Sequence, residues 1–261
     1  MLTHPDRFEY PWYIIALLVF PISLYSAFNF EIYNDLLLAK VFAGTLAQDV
    51  MSIFVSITML VILLTQDISS SKIQIVMTGL VGYTFYAYGI YVIEQVYTEF
   101  YFAYMFIFAM ALYTLIGSLI DFNQDLKVEM SQNFQRLSTV MLFLIPAIFY
   151  PLWVSSIIPL IAGSHQLDNL YSIYIIDLCI IMPAFLICGY LTYKHNSTGY
   201  LLGPSLMLIG FSILLPVAFG ELFKPIFLQD PDIFGLLGFG VLSIFFLVIS
   251  VLQLREIEII S

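Results

Sequence analysis

Two aspartates stand where the sequence is otherwise built for oil. Asp49 falls within LAQDVMSIFV and Asp177 within YSIYIIDLCII. An unpaired Asp near a membrane centre costs on the order of 2.5–3.5 kcal/mol, and its single methylene cannot carry the charge far toward water. Each acid therefore needs a partner, a wet cavity or a ligand. Carboxylates held at such depth can bind a cation or a cationic small molecule, or serve as acid and base. The plain alternative for each is a structural hydrogen bond to a neighbouring helix.

Other polar side chains gather at the same level. Gln48 flanks Asp49, and Tyr174 precedes Asp177 by nearly one turn. In GYTFYAYGIYVIEQVYTEFYFAY, residues Tyr83, Tyr86, Glu94 and Tyr97 fall on one helical face, with Thr84, Tyr88, Tyr91 and Gln95 on the adjoining one. Glu221 closes a later apolar run. Tyrosine rings pack in apolar surroundings while their hydroxyls bond carboxylates or water, and their faces suit an organic cation. The expected ligand-binding set is thus Asp49, Asp177, Gln48, Tyr83, Tyr86, Tyr88, Tyr91, Glu94, Tyr174 and Glu221. Against this, tyrosines and glutamates at helix ends also form an ordinary interfacial belt.

The rest of the chemical inventory is thin. His4, His165 and His195 all fall outside the apolar runs, and HExxH and GxSxG are absent. No lysine lies mid-span. An enzyme is not expected, nor is a cofactor. A carboxylate-only metal site would favour a hard cation over zinc.

The elements that position these residues follow from composition. The 261 residues are 61% hydrophobic and only 10% charged, with a mean hydropathy of +0.99. Soluble domains carry roughly 25% charged residues, so the chain reads as an all-α, multi-pass protein of the cell membrane, a single membrane domain over 1–261. A net charge of −10 without a basic stripe argues against nucleic acid as a partner. Runs long enough to cross a bilayer cover about 11–30, 41–65, 73–95, 98–121, 138–160, 169–193, 199–221 and 232–254. The first is too long for a signal-peptide core and is expected to be retained as a span. With eight spans, Arg7, Lys72, Lys127, Arg136, Lys194 and Arg255 share one side, leaving Lys40 and Lys224 on the other. That asymmetry places both termini in the cytoplasm. It puts Glu31, Asp35, Glu94, Glu99, Asp168, Glu221, Asp230 and Asp232 at or near the outer surface.

Sliding the chain on itself by 128 residues lays spans one to four on five to eight. Asp49 then falls on Asp177, Gly82-Tyr83 on Gly210-Phe211, and the turn TQDISSSK on YKHNSTGY. A parallel four-plus-four duplication, 1–128 and 129–261, is expected, with its axis along the membrane normal. The two acids then stand at equal depth, able to face one another or a shared cavity. Asp177 lies roughly 12 Å inside its helix. Pro183, six residues on, can free a carbonyl beside it. Cys179 and Cys188 are nine residues apart on one helix, too distant to pair with each other.

Several residues together resemble a broad family of prokaryotic polytopic membrane proteins with no assigned activity. They are Gln48-Asp49, Gly82-Tyr83, Tyr97 through Tyr104 to Leu112-Tyr113, Asp177 with Pro183 and Gly189, and Gly199-Tyr200. The resemblance spans about residues 45 to 210 and implies no catalytic residue. The chain departs from the pattern at Lys194-His195, where similar proteins carry arginines, and at Ile209, near a lysine elsewhere. Two functional expectations follow from the residues themselves. One is an outward-facing, tyrosine-lined pocket that binds a cation or cationic small molecule for transport. The other is a non-catalytic subunit or sensor whose polar cluster meets a partner membrane protein or a lipid headgroup. An intramembrane enzyme using the acids as acid and base is the least supported reading.

Overall fold

The computed structural model describes residues 1–123, 126–163 and 170–260. His165 and Asp168 lie outside the described residues. Eight helices among those described are long and apolar enough to span a membrane, which makes the chain a multi-pass membrane protein. They are α1 (Asp6–Phe28), α2 (Phe42–Thr65), α3 (Ser71–Ile93), α4 (Tyr101–Ile120), α5 (Gln132–Ile161), α6 (Tyr171–Tyr193), α7 (Ser197–Phe223) and α8 (Ile233–Glu256). Each matches one expected span. α1 and α5 begin several residues earlier than hydropathy alone suggests, because their first turns are polar.

The least apolar span is the most buried. α3 is the least apolar of the eight, yet 89% of its most apolar stretch is buried, against 11% for α5. In lipid an apolar surface can stay outside, so polar side chains must turn inward to find partners. α3 packs on α4, α6 and α7, and α7 also packs on α2, α6 and α8. Small residues let these helices approach. A Cβ on Gly82 would strike Ile209 of α7, and one on Gly210 would strike the Phe246 ring of α8.

Both chain ends lie at one end of the bundle, where short β pairings close it. Leu2 bridges Phe122 antiparallel, and β1 (Lys127–Glu129) pairs antiparallel with β2 (Glu258–Ile260), with Val128 opposite Ile259. The opposite end, called distal below, is built from connections that fold inward. Between α1 and α2, two 3₁₀ turns at Phe30–Tyr33 and Ala39–Val41 carry Tyr33 into full burial. A third, at Lys224–Phe227, continues α7. Phe30, Phe42 and Phe227 form one aromatic cluster, with centroids 4.7–5.6 Å apart, that ties these connections together.

α6 is not uniformly α-helical. Residues Asp177–Ile181 form a π turn between α-helical Tyr171–Ile176 and Met182–Tyr193. Its C-terminal limit can be read from the sequence. In an i→i−5 pattern the amide of residue 183 would bond the carbonyl of Leu178, and Pro183 has no amide hydrogen. The released carbonyl accepts instead from the Tyr150 hydroxyl of α5, at 3.1 Å.

Candidate functional site

At the distal end, α2, α3, α6 and α7 with the first connection enclose a cavity of about 310 Å³. Its polar lining includes Thr45 and Gln48 from α2, Tyr83, Tyr86, Tyr91 and Glu94 from and after α3, and Glu221 at the end of α7. Lys40 and Lys224 stand at the rim, and Ile90, Ile173, Ile213 and Val217 supply apolar wall. Six of the ten expected residues, Gln48, Tyr83, Tyr86, Tyr91, Glu94 and Glu221, are therefore brought to one space by three different helices.

The other four sit outside the lining. Asp49 is buried and held from two sides: Tyr91 donates to Oδ1 at 2.7 Å and Tyr33 to Oδ2 at 3.0 Å. Asp177 is 6% exposed and accepts at Oδ2 from the Trp153 indole at 2.8 Å. The two carboxyls share no hydrogen-bond partner. Tyr88 turns toward α1 and bonds Ser23 at 3.0 Å, and Tyr174 meets the Trp153 ring edge to face. Tyr91 and Tyr86 thus form the wall between cavity and acid. Tyr91 lines the cavity and donates to Asp49, while Tyr86 lines it and neighbours Asp177.

Tyr83 and Tyr91 are fixed from behind. Tyr83 donates to the Gln48 carbonyl at 3.1 Å and lies 3.1 Å from the Ser52 hydroxyl, while Gln48 Nε2 donates to the Ala87 carbonyl. Tyr33 stacks on Tyr91 with centroids 6.1 Å apart. Burial, reinforced by the Asp49 charge, holds the Tyr33 phenol well above its ordinary range, so it remains a neutral donor.

The rim carries both signs of charge. Lys224 pairs with Glu221 at 2.7 Å, and Glu221 also accepts from the Asp232 amide. α3 ends in a reverse turn, with Gln95 left-handed at φ 57° and the Val96 amide bonding the Tyr91 carbonyl. That turn carries Glu94 to the N-terminus of α6, where it accepts from the Ser172 amide at 2.6 Å. The expectation of a helix running on through Gln95 is corrected here by this left-handed residue.

Four contributors escaped the sequence reading. Tyr33 lies in a connection assigned to the surface, and nothing local signals that it folds back. Trp153 had a usable signal, since it stands about eight residues inside the distal end of α5, close to the depth of Asp177. Lys40 and Lys224 were visible only as topology markers, yet both converge on the rim. Among the described residues no cluster of His, Cys, Asp and Glu is arranged to hold a metal ion. Cys179 is exposed and Cys188 buried, and both are free thiols. In comparisons with known proteins, no family model, no curated protein and no solved structure matches this chain.

Proposed function

We propose that this chain is a cell-membrane protein with both termini cytoplasmic, whose distal cavity opens outward and binds a small organic cation, as a carrier does. The observation that carries the reading is the tyrosine wall. Tyr83, Tyr86 and Tyr91 line one cavity together, and carboxyls stand behind two of them. Ring faces attract cations, and the acids set a negative potential across the wall. Around the cavity, Glu94, Glu221, Asp49 and Asp177 outnumber Lys40 and Lys224. A ligand carrying an ammonium group is therefore favoured over an anion. The resemblance to the prokaryotic family assigns no role to these residues, so the proposal stands on their geometry.

The excess of Lys and Arg on the side of the termini supports the orientation. Packing supports a duplicated chain. α1 on α2 is echoed by α5 on α6, α3 on α4 by α7 on α8, and α2 on α7 by α6 on α3. The Leu2–Phe122 bridge and the β1–β2 pair close the two halves in the same manner.

Thermal unfolding of the purified protein with tetramethylammonium, choline, sodium or potassium chloride tests the binding reading. A quaternary ammonium salt is expected to raise the unfolding temperature above that in sodium or potassium chloride at equal ionic strength. Tyr86→Phe with Tyr91→Ala should remove the difference. Equal behaviour in all four salts would sink the reading. A second reading, a sensor or subunit that docks a lipid headgroup, draws on the two lysines at the rim. Stabilisation by anionic lipid that depends on Lys40 and Lys224 would favour it.

A further inference from the structure

Asp49 and Asp177 occupy corresponding places in their halves but are bonded differently. Both oxygens of Asp49 accept from a phenol. Trp153 donates to Asp177 at Oδ2, while Tyr86 stands beside the carboxyl and, among the described residues, no donor meets the buried Oδ1 within hydrogen-bond geometry. Leaving an acceptor unmet away from water costs about 1–3 kcal/mol, and more when the group is charged. Among the described residues, no lysine, arginine or histidine pairs with it. Among the described residues, Tyr86 from α3 neighbours this carboxyl, Tyr150 from α5 and Tyr174 from α6 stand on the elements packed about it, and Cys179 of α6 is exposed. Tyr150 is occupied with the Leu178 carbonyl, and Tyr174 packs on Trp153. α7 carries its Tyr200 and Glu221 at its two ends, and Glu94 is bonded to Ser172, a turn and more above.

From this geometry we infer that Asp177 is a proton-binding site that exchanges with the distal cavity through the Tyr86 hydroxyl. A metal cation is the weaker fit, because hard cations take about six or more oxygen ligands. Here the π turn's released carbonyl, Leu178, is already taken by Tyr150, and the Asp177 carbonyl accepts from the Met182 amide. A proton needs only Oδ1. Among the described residues, Tyr86 is a hydroxyl-bearing side chain that both lines the cavity and neighbours this carboxyl. The transfer is balanced: the Tyr86 phenolic proton passes to Oδ1 while a hydronium in the cavity returns one to the phenolic oxygen. Tyr86 ends neutral, water is left in the cavity, and Asp177 ends as a carboxylic acid. π turns recur at functional sites, and this one places the acid at the wall.

The test uses no ligand, so its outcome is separate from the fate of the cavity-binding proposal. The protonated-carboxyl infrared band of the full-length protein is followed as pH is varied, and its hydrogen–deuterium exchange is timed. A titrating band is expected that Asp177→Asn removes and Asp49→Asn leaves. Tyr86→Phe should slow its exchange by on the order of 100-fold. Trp153→Phe, which keeps the carboxyl but removes its donor, should shift the same band, and so serves even if Asp177→Asn does not fold. A band that Trp153→Phe fails to shift, or no titrating band, overturns the site. Exchange unchanged in Tyr86→Phe overturns the route. Loss of the band on adding sodium at fixed pH would instead mean that a metal cation competes for Oδ1, and overturns the proton assignment.

Discussion

At the scale of single residues, the buried acids of this protein are managed by neutral donors rather than by opposite charges. Asp49 is met by two phenols and Asp177 by an indole. Lysine or arginine in that role would add a second desolvation cost of several kcal/mol. Phenols satisfy the oxygens and leave the local charge negative. Tyr33 is the more exacting partner, since it arrives from outside the spans. Tyr33→Phe removes one donor from a fully buried carboxyl and should lower stability by about 1.5–3 kcal/mol, read by denaturant unfolding in detergent. The same change at Tyr97, which is 60% exposed, should be nearly silent. Equal effects at the two positions would show that the Asp49 contact contributes nothing.

At the scale of elements, α6 shows how one proline reshapes a helix through a neighbour. Pro183 leaves the Leu178 carbonyl without its i→i−5 donor, and α5 supplies the Tyr150 hydroxyl. Tyr150→Phe should cost about 1–3 kcal/mol, the cost of an unmet carbonyl. Pro183→Ala restores an amide hydrogen, so in the Tyr150→Phe background it should recover part of that loss. A double-mutant cycle by thermal unfolding checks this, and additivity of the two changes would refute the coupling. The distal connections show a second pattern. The stretch between α1 and α2 carries charged Glu31, Asp35 and Lys40, so its composition reads as a surface loop. It folds inward because Phe30, Tyr33 and Phe42 have an aromatic pocket to fill beside Phe227 and Tyr91.

At the scale of the whole molecule, the proposed orientation sets which face meets which compartment. After Cys179 and Cys188 are replaced by serine, a single cysteine at Ser69 should react only with membrane-permeant maleimide in intact cells. One at Asp230 should react with impermeant reagent as well, and the reverse pattern would invert the topology. Much of the fold was legible in one dimension. Eight candidate spans, their order, and the places of Asp49 and Asp177 within two of them follow from hydropathy, because water and hydrocarbon act on each residue independently of its distant neighbours. The candidate cavity was legible in part. Gln48, Tyr83, Tyr86, Tyr91, Glu94 and Glu221 announce themselves as polar groups at the right level. Helical periodicity could not say that Tyr88 turns to Ser23 while Tyr91 turns to Asp49, since that depends on which helix stands opposite each face. Nor could spacing bring Trp153, Tyr33 or the two rim lysines to the site. Depth in a bilayer is a property of the chain. Which side chains meet at that depth is set by how the helices pack, and the tertiary structure alone decided it.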